Sequence, residues 1–146
     1  MTCVLALDVG TTAVKAAVVS LDGGVEVRSI AEAPLELVTP APGWAEQDPA
    51  SWWQAVVAAV AALPADERRR IEAVTVTGQM QDLICVDAAL VPVRPTILYS
   101  DVRATAEHAA LLDELGDAWA RAVGTTPDAT AAALPPLEPP GVRVTS

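Results

Sequence analysis

The chain has 146 residues, 52% hydrophobic and 19% charged, with a formal net charge of −10. That is one domain's length, enough to bury a core, and too apolar for a disordered chain. The acidity leaves no electrostatic footprint for nucleic acid or anionic lipid. Two cysteines and one histidine, with no C-x-x-C, leave no ligand set for a transition metal.

Residues 3–8, 13–20 and 24–33 are rich in Val, Leu and Ile and are separated by turn signals, which predicts three strands. Asp22-Gly23-Gly24 is a hairpin turn, so the three strands form an antiparallel meander. At the first turn an acid, Asp8, closes a strand and Gly10-Thr11-Thr12 follows, with Lys15 just inside the next strand. Hydroxyls and backbone N–H groups at such a turn can hold a phosphate, and Lys15 can neutralise its charge. Asp8 can hold magnesium, usually through water. The pattern is neither a Walker A loop nor G-x-G-x-x-G, and an ordinary Gly-Thr hairpin would look the same.

Four breakers, Pro34, Pro40, Pro42 and Gly43, make residues 34–48 a loop. Asp48-Pro49 then reads as N-cap and first helical residue. Trp52, Trp53, Val56, Val57, Val60 and Leu63 recur at helical period, which predicts one wide apolar face before Pro64 stops the helix. Trp52 and Trp53 are expected in the core. Trp44, in the loop, either packs or lines a ligand. Arg68, Arg69 and Arg70 are read as a solvated face at a helix end.

Ile71 to Thr77 alternates as a strand should and runs into Gly78-Gln79-Met80-Gln81-Asp82. Leu83 to Val86 is a further short strand. Pro92 and Pro95 limit any strand in 91–98 to a short or edge one. Ala104 to Leu115 is a helix with Leu111, Leu112 and Leu115 on its apolar side and Gly116 as its stop. Trp119 to Val123 adds a last helical turn. Residues 135–146, with Pro135-Pro136 and Pro139-Pro140, are expected to be a poorly ordered tail. Cys3 and Cys85 lie in apolar runs and are expected to be buried free thiols. There is no positively charged leader, Asp8 interrupts the first apolar run, and Ala55 to Leu63 is too short to span a bilayer. The expectation is a soluble cytoplasmic protein that binds neither nucleic acid nor membrane.

Taken together, the motifs resemble the FGGY family of carbohydrate kinases. They are Leu7-Asp-Val-Gly-Thr-Thr12 with Lys15, Trp44-Ala-Glu-Gln-Asp-Pro49 leading to Trp52-Trp53, Gly78-Gln-Met80, Arg94-Pro-Thr-Ile-Leu98 and Asp101-Val-Arg103, in family order. The resemblance implies an α/β, ribonuclease-H-like domain of the actin-like ATPase type, its mixed sheet opening with the meander and followed by helices and further strands. It also implies transfer of the ATP γ-phosphoryl to a sugar hydroxyl with Mg2+, D-xylulose being the first guess. By motif, Asp8 lies near the metal, Thr11, Thr12 and Lys15 hold ATP phosphates, and Met80, Gln81 and Asp101 lie at the sugar. Arg103 orients Asp101 or forms a structural ion pair, and an N-cap acid with a surface pair would read alike. The family's general base, an Asp, is expected beyond residue 146. Residues 1–134 are therefore expected to be a partial N-terminal domain, inactive alone, and full-length relatives are suggested to be homodimers. The sequence departs from the family pattern at Gln81-Asp82, where His-Gly is usual, at Tyr99-Ser100, where Trp-Asn is usual, and after Leu134. A non-catalytic remnant that binds sugar or a partner, or a glycerol- or gluconate-type member, are the alternatives.

Overall fold

The computed structural model describes residues 3–116, 118, 121 and 143–145. The chain divides into two compact units, one of residues 1–37 with 49–79, the other of residues 38–48 with 80–146.

In the first unit, β1 (Cys3–Val9), β2 (Ala13–Ser20) and β3 (Glu26–Pro34) form the expected meander. Helix α1 (Pro49–Ala62) and a short α2 (Ala65–Arg68) lead to a later strand, Ile71–Gly78, which pairs parallel with β1. The sheet order is therefore β3, β2, β1 and then this strand at the edge. Alternation decides the faces. Cys3, Leu5 and Leu7 of β1 and Val14, Ala16 and Val18 of β2 are buried on one side, where α1 lies over β2 and β3.

The predicted helix is there, with Pro49 its first residue, but only part of its predicted face is buried. Ala55, Ala59 and Leu63 are buried, with Val56 and Val60 packed beside them, while Trp53 is 70% exposed and Val57 is also open. Alanines let the helix backbone lie close to the sheet, and the bulky residues half a turn away are left outside. The stretch of β1 beside the edge strand is in register with that strand's Val74 and Val76, opposite Leu5 and Leu7. Helix α1 does not extend over them, and both are exposed.

The second unit holds short strands. β4 (Glu46–Gln47) lies within the predicted loop and pairs antiparallel with Thr96–Ile97. Numbering in chain order, Ile71–Gly78 is β5, Ile84–Val86 is β6, Thr96–Ile97 is β7 and Arg143–Thr145 is β8, which pairs antiparallel with β6. Three residues of the expected tail are thus in a strand. The other residues of 135–146, and Trp119, Ala120, Ala122 and Val123 of the expected helical turn, lie outside the described residues. Helix α3 (Thr105–Leu115) ends at Gly116, whose N–H donates to the Leu112 carbonyl at 3.0 Å. Its expected apolar side is only partly used: Leu111 packs with Leu83 against buried Ala104, while Leu112 and Leu115 are exposed. Cys3 and Cys85 are buried free thiols. Among the described residues no helix is long and apolar enough to cross a membrane.

Candidate functional site

The turn between β1 and β2 carries four of the predicted site residues. Antiparallel register sets Asp8 opposite Lys15, and Lys15 opposite Glu32 on β3. Asp8, Thr12 and Lys15 are exposed and Thr11 is half-buried. The Asp8 and Lys15 side chains have no bonded partner among the described residues, so both are free to meet a ligand. The turn is braced from two sides. Gly10 N–H donates to the Ala13 carbonyl at 3.2 Å, and Leu35 N–H donates to the Thr12 carbonyl at 2.9 Å. Gly10 is not in the left-handed region, so its role is not a sharp turn of that kind. A Cβ there would lie 3.2 Å from the Ala13 carbonyl oxygen, so the close approach is what a side chain would disturb.

Sequence reasoning missed a further brace, from Gln79. Gln79, just past β5, donates its N–H to the Val9 carbonyl at 2.9 Å, and its Oε1 accepts from Thr11 Oγ1 at 3.0 Å. Gly78 permits this. A Cβ at that position would lie 2.7 Å from the Val9 carbonyl oxygen and 3.1 Å from the Val9 Cβ.

In the second unit the predicted sugar residues differ sharply in their surroundings. Met80 is 77% exposed, and Gln81 is exposed with φ 67, a left-handed conformation that non-glycine residues adopt at a cost. Asp101 is 1% exposed. Its Oδ1 accepts from the Arg103 N–H and Nε, both at 2.9 Å, and its Oδ2 accepts from Ala45 N–H at 2.6 Å and Arg103 Nη2 at 2.7 Å. A carboxylate has about four acceptor positions, and these bonds use that capacity within the protein. Burial alone would raise this carboxyl's pKa, but the bonds from Arg103 and Ala45 outweigh it and hold it below the ordinary range.

Arg103 is the hub. Besides Asp101 it meets Glu46 Oε1 at 2.7 Å, the same oxygen that Arg94 Nη2 reaches at 2.9 Å. Its guanidinium carbon also sits 3.8 Å from the centre of the Trp44 ring. Gly43, with φ 79, accepts from Val102 N–H at 2.9 Å and fastens the same loop. The structure therefore draws together Trp44 and Glu46, Arg94, and the Asp101–Arg103 pair, which the sequence reading left in three separate motifs. Glu46 was read only as a member of the motif Trp44-Ala-Glu-Gln-Asp-Pro49, and nothing in the sequence gave it a partner.

Asp82 was named only as a departure from the family pattern. It is 8% exposed, and its Oδ1 accepts from Tyr99 N–H at 2.9 Å. Burial raises its pKa, and the Tyr99 bond offsets only part of that rise.

Known proteins resemble this chain throughout the described core. The profile of the FGGY family of carbohydrate kinases, N-terminal domain, matches residues 3–127. A xylulose kinase of Streptomyces coelicolor is 38% identical over 129 residues, which cover 87% of this chain and 26% of that protein. A glycerol kinase of Gloeobacter violaceus is 36% identical over 104 residues, 70% of this chain and 20% of its own length. The crystal structure of xylulose kinase from Rhodospirillum rubrum superposes with a TM-score of 0.74 at 35% identity, covering 81% of this chain and 25% of that one. The class is that of the sugar kinases with the actin-like ATPase fold. The chain belongs to the FGGY family of carbohydrate kinases, and it spans about a quarter of the length of the xylulose kinases it matches.

Proposed function

We propose that this chain carries the phosphate grip and part of the sugar side of an ATP-dependent carbohydrate kinase, with D-xylulose as the first substrate to test. The observation that carries the reading is the β1–β2 turn: a free carboxylate and a free ammonium in register across a hairpin whose hydroxyl turn is braced by Gln79. Phosphoryl transfer asks a protein mainly for positioning and charge stabilisation. Thr12 would donate its hydroxyl to a phosphate oxygen, Thr11, whose hydroxyl donates to Gln79, would hold the turn in shape, and Lys15 would neutralise the phosphate charge. Magnesium suits the donor present, a hard carboxylate oxygen. Among the described residues no group of three possible ligands gathers round it, so water and phosphate would complete its shell. When bound, the ion would offset the negative charge of the phosphates, and Asp8 would hold it.

On this reading the partner is a small sugar and the site of action is cytoplasmic. Glycerol is the second substrate to test, since a glycerol kinase stands nearly as close in identity as the xylulose kinases. Calorimetry with Mg2+-ATP tests the grip directly. The chain should bind, and Lys15→Ala should weaken binding about tenfold, the worth of one charge-assisted phosphate contact. Absence of binding by the unaltered chain, or equal binding by the variant, would overturn the proposal.

A further inference from the structure

Two buried carboxylates of the second unit, Asp101 of the predicted sugar residues and Asp82, differ once the hydrogen bonds are drawn. Asp101 has its acceptor capacity used by Arg103 and Ala45. It fixes the loop and has nothing left to offer a hydroxyl. Asp82 is the opposite case. It is more than nine-tenths buried, yet only one of its oxygens is engaged, by the Tyr99 N–H. Its Oδ2 has no hydrogen-bond partner among the described residues. Nor is that oxygen one of the fully enclosed unpartnered atoms, which are Ser29 Oγ and Thr96 Oγ1. It is therefore reachable from solvent.

Burying a carboxylate with a single hydrogen bond from the protein costs free energy, which a folded chain seldom carries without use. The residue before it adds to that cost, because Gln81 holds a left-handed backbone without being glycine. The turn thereby directs Met80 and Gln81 outward and exposed while Asp82 stays inside. A second acceptor-bearing side chain, Gln81, is thus adjacent in sequence to the free oxygen, and the apolar Met80 precedes both.

We propose that Asp82 is the sugar-binding carboxylate of this chain, its Oδ2 accepting a hydrogen bond from a substrate hydroxyl, with Asp101 confined to positioning the loop. The inference rests on the kinase reading above and replaces one of its residues. The ligand class is a neutral polyol or ketose, which offers hydroxyl donors. An acid such as gluconate would bring its own negative charge towards Asp82 and be disfavoured.

The test uses the 146-residue chain with D-xylulose, glycerol and D-gluconate, followed by NMR. Asp82→Asn keeps the oxygen that meets Tyr99 N–H and replaces only the free one with an amide, so its fold is checked by circular dichroism and its Mg2+-ATP affinity is measured alongside. D-xylulose or glycerol should bind the unaltered chain more tightly than gluconate, and the variant should lose about tenfold in polyol affinity with nucleotide binding intact. In the unaltered chain, saturating polyol should also lower the Asp82 carboxyl pKa seen by 13C resonance, since a hydroxyl donor favours the ionised form. Equal polyol binding by the variant, an unmoved carboxyl resonance, or no polyol binding by the unaltered chain would each overturn the assignment. If nucleotide binding is retained in those cases, the kinase reading survives. If it is absent too, both fall.

Discussion

Among the described residues Asp101 accepts at least four hydrogen bonds and Asp82 accepts one, and that difference sets opposite signs for their titrations. Asp101 has a lowered pKa, so its contribution to stability is present above the unfolded value and is lost as pH falls through the folded one. Asp82 has a raised pKa. The folded state holds that proton more tightly than the unfolded state, so stability falls as pH rises through the raised value, and the penalty is fully present above it. Thermal unfolding across pH should show this. Asp101→Asn should cost about 3 kcal/mol near neutral pH, within the range for breaking a buried pair, with the loss shrinking in acid. Asp82→Asn should instead stabilise the chain near neutral pH, again with the difference vanishing in acid. Matching pH profiles for the two variants would refute the assignment of the signs. Gly78 gives a second prediction at this scale. The alanine Cβ would fall 2.7 Å from a backbone oxygen of β1, which no rotamer change relieves. Gly78→Ala should cost about 1–3 kcal/mol, as overpacking does, and should loosen the Gln79 brace, read as faster exchange of the Gln79 amide.

The elements show why local pattern carried the reading so far and where it stopped. Strands β1, β2 and β3 were legible because β-branched runs, Asp22-Gly23-Gly24 and Gly10-Thr11-Thr12 all agree on the same meander. The start of α1 was legible because Asp48-Pro49 is a helix-entry signal. Its buried face was legible only in part, through Val56, Val60 and Leu63, because hydrophobicity ranks Trp above Ala, whereas close helix-on-sheet packing selects for small size. Ala55 and Ala59 won over Trp53 and Val57 for that reason. Of the Arg103 hub only the Arg103–Asp101 pair was legible; Trp44, Glu46 and Arg94 join it through β4 and β7 pairing, which two-residue strands do not announce in a sequence. The packing claim is testable on α1. Ala59→Leu inserts three carbons at a position with no exposure and should cost about 1–3 kcal/mol or more. Trp53→Gln, on the open side, should stay within about 0.5 kcal/mol. Chemical denaturation of the two variants gives the answer, and a larger loss for the tryptophan change would mean the helix is rotated from the face described.

At the scale of the molecule, the sheet of the first unit has two edges, β3 and β5, and among the described residues no further strand pairs with β5. β5 ends the strand order, and its residues 72–77 are all exposed, including Val74 at 58% and Val76 at 64%. That edge has no proline and no lysine, and Glu72 is its one charge. Such edges pair with other strands unless charge, bulges or covering elements prevent it. Opposing this, each copy carries a net charge of −10, so copies repel at low ionic strength. Screening shortens that repulsion to about 10 Å at 0.1 M salt and leaves backbone pairing and apolar contact at the edge unaffected. The chain should therefore associate more as salt rises, the reverse of an assembly held by ion pairs. Light scattering on a salt series measures it, and Val74→Lys with Val76→Lys should abolish the rise by placing like charges along the edge. A mass that falls with added salt, or a rise undiminished in the double variant, would locate the association elsewhere than on β5.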